Sequence, residues 1–214
     1  MGQPGATRLD QSAVQNCDVV HIPKEGEISR SFALDGGKPP AREESQVMNE
    51  NLFGDRAAAT AVVSACGRYR YSLERRWGAG DRSLLWIMLN PSTADAAQDD
   101  RTISRCVRFS RGFGFDSLIV GNLYAYRATD KSQLWEVEDP AGPEADQWLA
   151  QLASTATDVI CAWGEEGPIR GRADAVRRML RGIPSASYLV MNASGHPRHP
   201  LYVHGSTERK VWHP

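Results

Sequence analysis

Four short runs hold the side chains best suited to chemistry. They are Asn90-Pro91-Ser92-Thr93-Ala94-Asp95, Gly121-Asn122-Leu123-Tyr124, Ala162-Trp163-Gly164, and Gly195-His196-Pro197-Arg198-His199-Pro200-Leu201-Tyr202. Together they supply two amides, a carboxylate, a histidine pair, an arginine and several aromatics. Amides and aromatic faces suit the recognition of a flat polar ligand such as a base, and a carboxylate with a histidine suits proton handling beside it. Arg101, Arg105 and Arg108 add a second pattern, because spacings of four and three put them on one helix face.

These runs share a context. Each lies at or just after an apolar segment: Leu84 to Leu89, Ser117 to Leu123, Val159 to Trp163 and Tyr188 to Met191. Continuous apolar runs of this length read as strands covered on both faces. Helical spacing fills the gaps between them, near Arg101 to Arg111, Glu144 to Ala153 and Ala173 to Leu180. Strands alternating with helices predict an α/β fold of three layers, α/β/α, around a mainly parallel four-stranded sheet. In such sheets ligands bind beyond the carboxyl ends of the strands, where the polar runs fall. Ahead of them, Ala57 to Ala65 is apolar enough for a strand or short helix, and Arg68 to Leu73 alternates as a half-buried strand would.

Bulk properties set bounds. Of 214 residues, 41% are hydrophobic and 24% charged, values ordinary for one globular domain. Residues 56–214 are read as that domain and residues 1–55 as an extension, disordered or loosely attached, since Gly36-Gly37-Lys38-Pro39-Pro40 and charged clusters dominate it. No apolar run approaches the roughly 18 residues that a membrane span needs, and residues 1–10 lack the hydrophobic stretch of a secretory signal. A cytoplasmic protein with no membrane partner is expected. Cys17, Cys66, Cys106 and Cys161 show no Cys-x-x-Cys spacing, so they are read as buried thiols, with no metal site and no cofactor expected. Net charge is −1, divided into nine acids and six bases over residues 1–60 and a balance of +2 beyond. So slight a field implies that any contact with a polyanion is a local patch.

The four runs, together with Asn122-Leu123-Tyr124-Ala125-Tyr126-Arg127-Ala128-Thr129-Asp130, closely resemble a bacterial and phage domain family of unknown function across most of residues 60 to 205. Their order also resembles that of the uracil-DNA glycosylase superfamily. There a Gly-x-Asp/Asn-Pro loop follows the first strand, a base-reading asparagine lies on the second, a Trp-Gly or similar pair ends the third, and a His-Pro loop follows the fourth; here Met88-Leu89 stands where the glycine is usual, and His199-Pro200-Leu201-Tyr202 where a His-Pro-Ser-Pro run is common. The resemblance implies a DNA glycosylase of that fold, acting as a monomer without metal or cofactor. Asn90 would position the water, Asp95 would give carboxylate help, and His199 would stabilise the leaving base. Pro91, Ser92, Asn122, Tyr124 and Trp163 would surround the base, Leu201 and Tyr202 would fill the vacated stack, and Arg198 with Arg101, Arg105 and Arg108 would hold the DNA backbone. Ser92 stands where some branches carry an aromatic, which leaves room for a substituent. A modified base, such as a hypermodified phage base, is therefore expected over plain uracil.

Each residue also has a structural reading. Asn-Pro after a strand is often a turn. Asn122 can serve a buried network, Trp163 can cap a core, His196 can be incidental, and an arginine stripe is commonly a solvated helix face. Asp99-Asp100 is expected to cap the helix that follows, while Asp130 and Asp139 stay open between loop and pocket roles. Two further functions compete with the DNA glycosylase: an N-glycosidase of free nucleosides, nucleotides or related small molecules, and a catalytically silent base-binding module.

Overall fold

A computed structural model of the chain describes residues 19–23, 58–92, 100–183 and 186–213. One eight-stranded sheet runs through it, in the order β1-β2-β3-β5-β4-β6-β7-β8. The strands are β1 (Val19–Pro23), β2 (Ala58–Ser64), β3 (Arg70–Arg76), β4 (Ser83–Met88), β5 (Ser117–Asn122), β6 (Asp158–Cys161), β7 (Ala186–Tyr188) and β8 (Lys210–Val211). The helices are α1 (Arg101–Gly112), α2 (Ala145–Thr155) and α3 (Arg172–Leu180). The strands β5, β4, β6 and β7 pair in parallel at the centre, the first three on the anticipated runs, whereas β7 (Ala186–Tyr188) begins two residues ahead of the run Tyr188 to Met191 and shares only Tyr188 with it. The expectation of a four-stranded sheet is nevertheless too small. β2 and β3 fold back on each other and add antiparallel to β5, and β8 adds antiparallel to β7.

Alternation along the central strands makes the layers. On β4, Leu84, Trp86 and Met88 face one side, where they pack with Leu118 and Val120 of β5 against Ile103, Cys106, Val107 and Phe109 of α1. Leu85 and Ile87 face the other, against Leu149 and Ala153 of α2 and Ala173, Val176 and Leu180 of α3. The apolar positions of α1 recur at intervals of three and four, which gives one buried stripe. Its start is fixed by Asp100, whose Oδ1 accepts from the Ile103 N–H at 2.8 Å, the capping role expected of it.

Two sequence expectations change here. Val19–Pro23 pairs with β2 over five residue positions, so this part of the N-terminal extension is a sheet strand and not a loose tail. Cys106 and Cys161 are buried free thiols as expected, with burial raising the pKa of both, but Cys66 is exposed and disulfide-bonded. It sits in the turn between β2 and β3, with its Sγ 3.2 Å from Ser64 Oγ. Cys17 lies outside the described residues. No helix among the described residues is long and apolar enough to cross a membrane.

Candidate active site at the strand ends

Register brings the four runs together. Met88 of β4 lies opposite Asn122 of β5, and Ile87 opposite Cys161 of β6, so the three strands end level. The segments that follow are tied to one another through the backbone. Pro91 O accepts from the Ala128 N–H at 3.0 Å, which joins the loop after β4 to the loop after β5. Gly164 N–H donates to Pro197 O at 2.9 Å, which joins the segment after β6 to the His-Pro loop. Gly164 takes a φ of 82°, a conformation that suits glycine, and a Cβ there would stand 3.8 Å from that of His199.

A cavity of about 930 Å³ opens where these segments meet. Asn90, Ser92, Asn122, Trp163, Arg198, His199 and Tyr202 all line it. Seven residues anticipated on separate segments thus share one wall. Asp130, left open by the sequence, lines the cavity as well. Asp139 instead closes a turn by accepting from the Gly142 N–H at 3.0 Å.

Asn90 is oriented by its neighbours. Its Nδ2 donates to Ala128 O at 2.9 Å and to Pro91 O at 3.1 Å, so both amide hydrogens are spent on carbonyls and Oδ1 is left as the acceptor. Asn122 is in the opposite condition. Its side chain is only 4% exposed, and Nδ2 has no protein partner among the described residues. A buried amide left so costs about 1–3 kcal/mol unless something in the cavity supplies an acceptor.

His199 sits at the start of a short 3-10 helix, Pro200–Tyr202, and its Nδ1 accepts from the Leu201 N–H at 3.4 Å. That contact puts the proton of the neutral ring on Nε2. Burial holds the imidazole pKa below its ordinary value, against the opposing pull of Asp100 and Glu166. The ring of Tyr202, 75% exposed, lies 5.9 Å from that of His199.

Several expected residues take other places. Tyr124 does not line the cavity; it is buried, its hydroxyl donates to Ile169 O, and its ring meets Trp135 edge-on at 5.4 Å, so it cannot stack on a ligand there. Pro91 lies behind the lining and contributes its carbonyl. Trp163 reaches the cavity from the core, at 1% exposure, with its ring against Trp212 and under Gly167, where a Cβ would fall 2.1 Å from Trp163 Cδ1. Asp95 lies outside the described residues.

Arg101, Arg105, Arg108 and Leu201 line a second, smaller cavity of about 510 Å³. Leu201 thus belongs to it while its neighbour Tyr202 belongs to the first, so the two hollows adjoin across this short helix. Arg105 is less available than its spacing implied. It donates to Val203 O and lies over the Phe109 ring at 5.1 Å, which clamps α1 to the segment after the His-Pro loop. Arg198 Nε donates to Asn192 Oδ1 at 2.7 Å on the rim.

Arg70, Asp100, Lys131, Glu165, Glu166 and Asn192 also line the cavity and were not singled out for it by the sequence. Asp100 does double work: besides capping α1, its Oδ2 accepts from Ser92 Oγ at 3.0 Å and so ties the end of the Asn90 loop to the helix. Lys131 and Glu166 form an ion pair, and Ser194 Oγ donates to Glu165. Arg70 was hidden by its alternating context, which implied a solvated face. Every residue from Arg70 to Leu73 is in fact buried, because β3 is covered on both faces. Among the described residues no group of three or more His, Cys, Asp or Glu side chains could hold a metal ion.

A family model described as Protein of unknown function (DUF1643) matches residues 70–201, more than half of the chain, and the chain belongs to that family. No curated protein and no solved structure matches it significantly.

Proposed function

We propose that the chain is a DNA glycosylase that hydrolyses the bond between a modified base and deoxyribose, in a pocket of the uracil-DNA glycosylase kind. The observation that carries this reading is the Asn122 amide, buried on the cavity wall with its Nδ2 lacking a protein partner among the described residues, and placed among the other motif residues. In the reaction a water oxygen bonds to C1′, the C1′–N bond breaks with its electron pair going to the base, and the base takes up a proton. Positive charge grows on the sugar and negative charge on the base, so acceptors are needed on one side and donors on the other. Asn90 Oδ1, free to accept, orients the water. Asp100 places a carboxylate on the same cavity wall, where it offsets charge on the sugar. Asn122 pairs with the base edge, and His199 offers its Nε2–H to the departing base as a neutral donor. Tyr202 and Leu201 are placed to occupy the gap left by a flipped base, and Arg101 and Arg108 to meet the backbone.

A second reading, an N-glycosidase of free nucleosides or nucleotides, draws support from the engagement of Arg105 with Val203 and from a net charge of only −1. Both readings require stabilisation of a cationic sugar, which can be tested before the base is known. Binding should be compared between oligonucleotides with a cationic pyrrolidine and with a neutral tetrahydrofuran in place of one deoxyribose. The proposal expects the cation to bind about tenfold more tightly or better, since transition-state mimics gain at least about a hundredfold in favourable cases. The preference should shrink in Asn90→Ala. Equal binding of the two would count against hydrolysis and favour a silent base-binding module.

A further inference from the structure

Charge is distributed unevenly about the cavity. The wall made by α1 and the short Pro200–Tyr202 helix belongs to one face of the sheet, through Ile103 and Val203. The opposite wall belongs to the other face, through Trp163 and through Leu134 of the 3-10 helix Lys131–Trp135. That second wall carries Asp130, Lys131, Glu165 and Glu166. Lys131 pairs with Glu166, whereas Asp130 accepts from the Ser132 N–H and Glu165 from Ser194 Oγ, neutral donors that leave both negative charges standing. The bonds from Ser132 also hold the Asp130 carboxyl below its ordinary pKa. A phosphate brought to this wall would meet two carboxylates. Behind the first wall lies the hollow of about 510 Å³, lined by Arg101, Ser104, Arg105 and Arg108 from one face of α1 and by Leu201. Its lining holds no acid among the described residues, and Arg101 and Arg108 are exposed in it. Arg105 donates to Val203 O, yet its buried Nε–H has no acceptor among the described residues. A buried N–H left so is costly, and an oxyanion in the hollow would satisfy it together with the two outer guanidinium groups. Because Leu201 lines the hollow and Tyr202 the cavity, one substrate can reach both.

We propose that the hollow is a phosphate subsite and that the substrate bears phosphate on this side of its target nucleoside alone, so that the target stands at the end of a strand or on a free nucleotide and not inside a strand. This rests on the cavity being a nucleoside pocket, and it narrows the substrate class. The shared chemistry is a phosphate ester on one of the two sugar hydroxyls, facing the arginines and turned away from Asp130 and Glu165.

The test is equilibrium binding to the wild-type chain of four probes that carry no base: the tetrahydrofuran analogue of deoxyribose, bare, with phosphate at its 3′ position, at its 5′ position, and at both. One monophosphate should bind about tenfold more tightly than the bare sugar and than the other monophosphate, as charge-assisted hydrogen bonds permit. The bisphosphate should gain nothing further. Joining thymidine to the favoured phosphate separates the sources, since affinity kept or raised assigns a strand end and affinity lost assigns a free nucleotide. Arg101→Ala with Arg108→Ala should abolish the preference, and lysine at both positions, which keeps the charge without the fork, should retain part of it. Equal affinities for the four probes, binding of none, a further gain for the bisphosphate, or a preference that survives the double alanine variant would overturn the proposal. The two readings fail separately. Base release from positions inside a strand would keep the hydrolase and remove the one-sided subsite, whereas a phosphate preference without release of any base would do the reverse.

Discussion

Asn122 and Asn90 are the same residue type in opposite states, and that difference gives each a separate test. Asn90 spends both amide hydrogens on carbonyls, so it holds loops together as well as presenting an acceptor. Asn122 spends neither on the protein among the described residues. Truncating it should therefore leave stability nearly unchanged: Asn122→Ala is expected to move the urea unfolding free energy by less than about 1 kcal/mol while removing base binding. Asn90→Ala should lose stability as well, by about 1–2 kcal/mol for two hydrogen bonds. His199 carries a pH test. With its folded-state pKa lowered, the unfolded chain takes up a proton first as pH falls below about 6.5, whereas the folded ring stays neutral. Its contribution is thus fully favourable above that pH and declines on acidification, until the folded ring titrates in turn. Urea unfolding measured from pH 7.5 to 5 should show this slope, and His199→Gln should flatten it.

At the scale of elements, the junction between the Asn90 loop and α1 ties position to stability. Asp100 caps α1 through Ile103 and holds Ser92 through its other oxygen. Asp100→Ala should cost about 1–2 kcal/mol in chemical denaturation, the usual range for a lost cap together with a side-chain bond. Asp100→Asn should restore the cap and leave any glycosidic activity impaired, because the carboxylate charge is gone. The central elements were legible in the sequence. Their apolar runs and helical spacings reflect burial on both faces, and the first three polar runs fall at or just after the ends of β4, β5 and β6, whereas six residues separate the end of β7 from the His-Pro run. β1 and the outer antiparallel strands were harder to read. Val19–Pro23 is a five-residue strand inside a polar extension, and its partner β2 lies some forty residues away, so nothing local marks the pairing. Arg70 was missed for a related reason. Alternation tells which residues share a face, but whether the polar face meets water or a cavity depends on what packs there. Tyr124 shows the converse error: its nearness to Asn122 in sequence suggested a shared pocket, but β5 ends at Asn122 and the Tyr124 ring packs against Trp135 instead.

At the scale of the molecule, an α/β sheet presents one cavity at its carboxyl edge and a smaller basic hollow next to it. If DNA crosses both, its affinity should depend on salt through the few cations that meet phosphate. Replacing Arg101 and Arg108 together by alanine should lower DNA affinity and reduce the slope of log K against log salt by about 2, with nucleoside binding unchanged. Arg105 is left out of that pair because its loss would also release Val203. The most direct measurement is incubation of the purified chain with DNAs that carry uracil or hypermodified bases, followed by mass spectrometry of released base and strand scission at alkali-labile abasic sites. The account predicts release of one modified base by the wild type, with an abasic site left behind, and none by Asn90→Ala or His199→Ala. Intact DNA with every base tested, under conditions where the same chain hydrolyses a nucleoside or nucleotide, would contradict it.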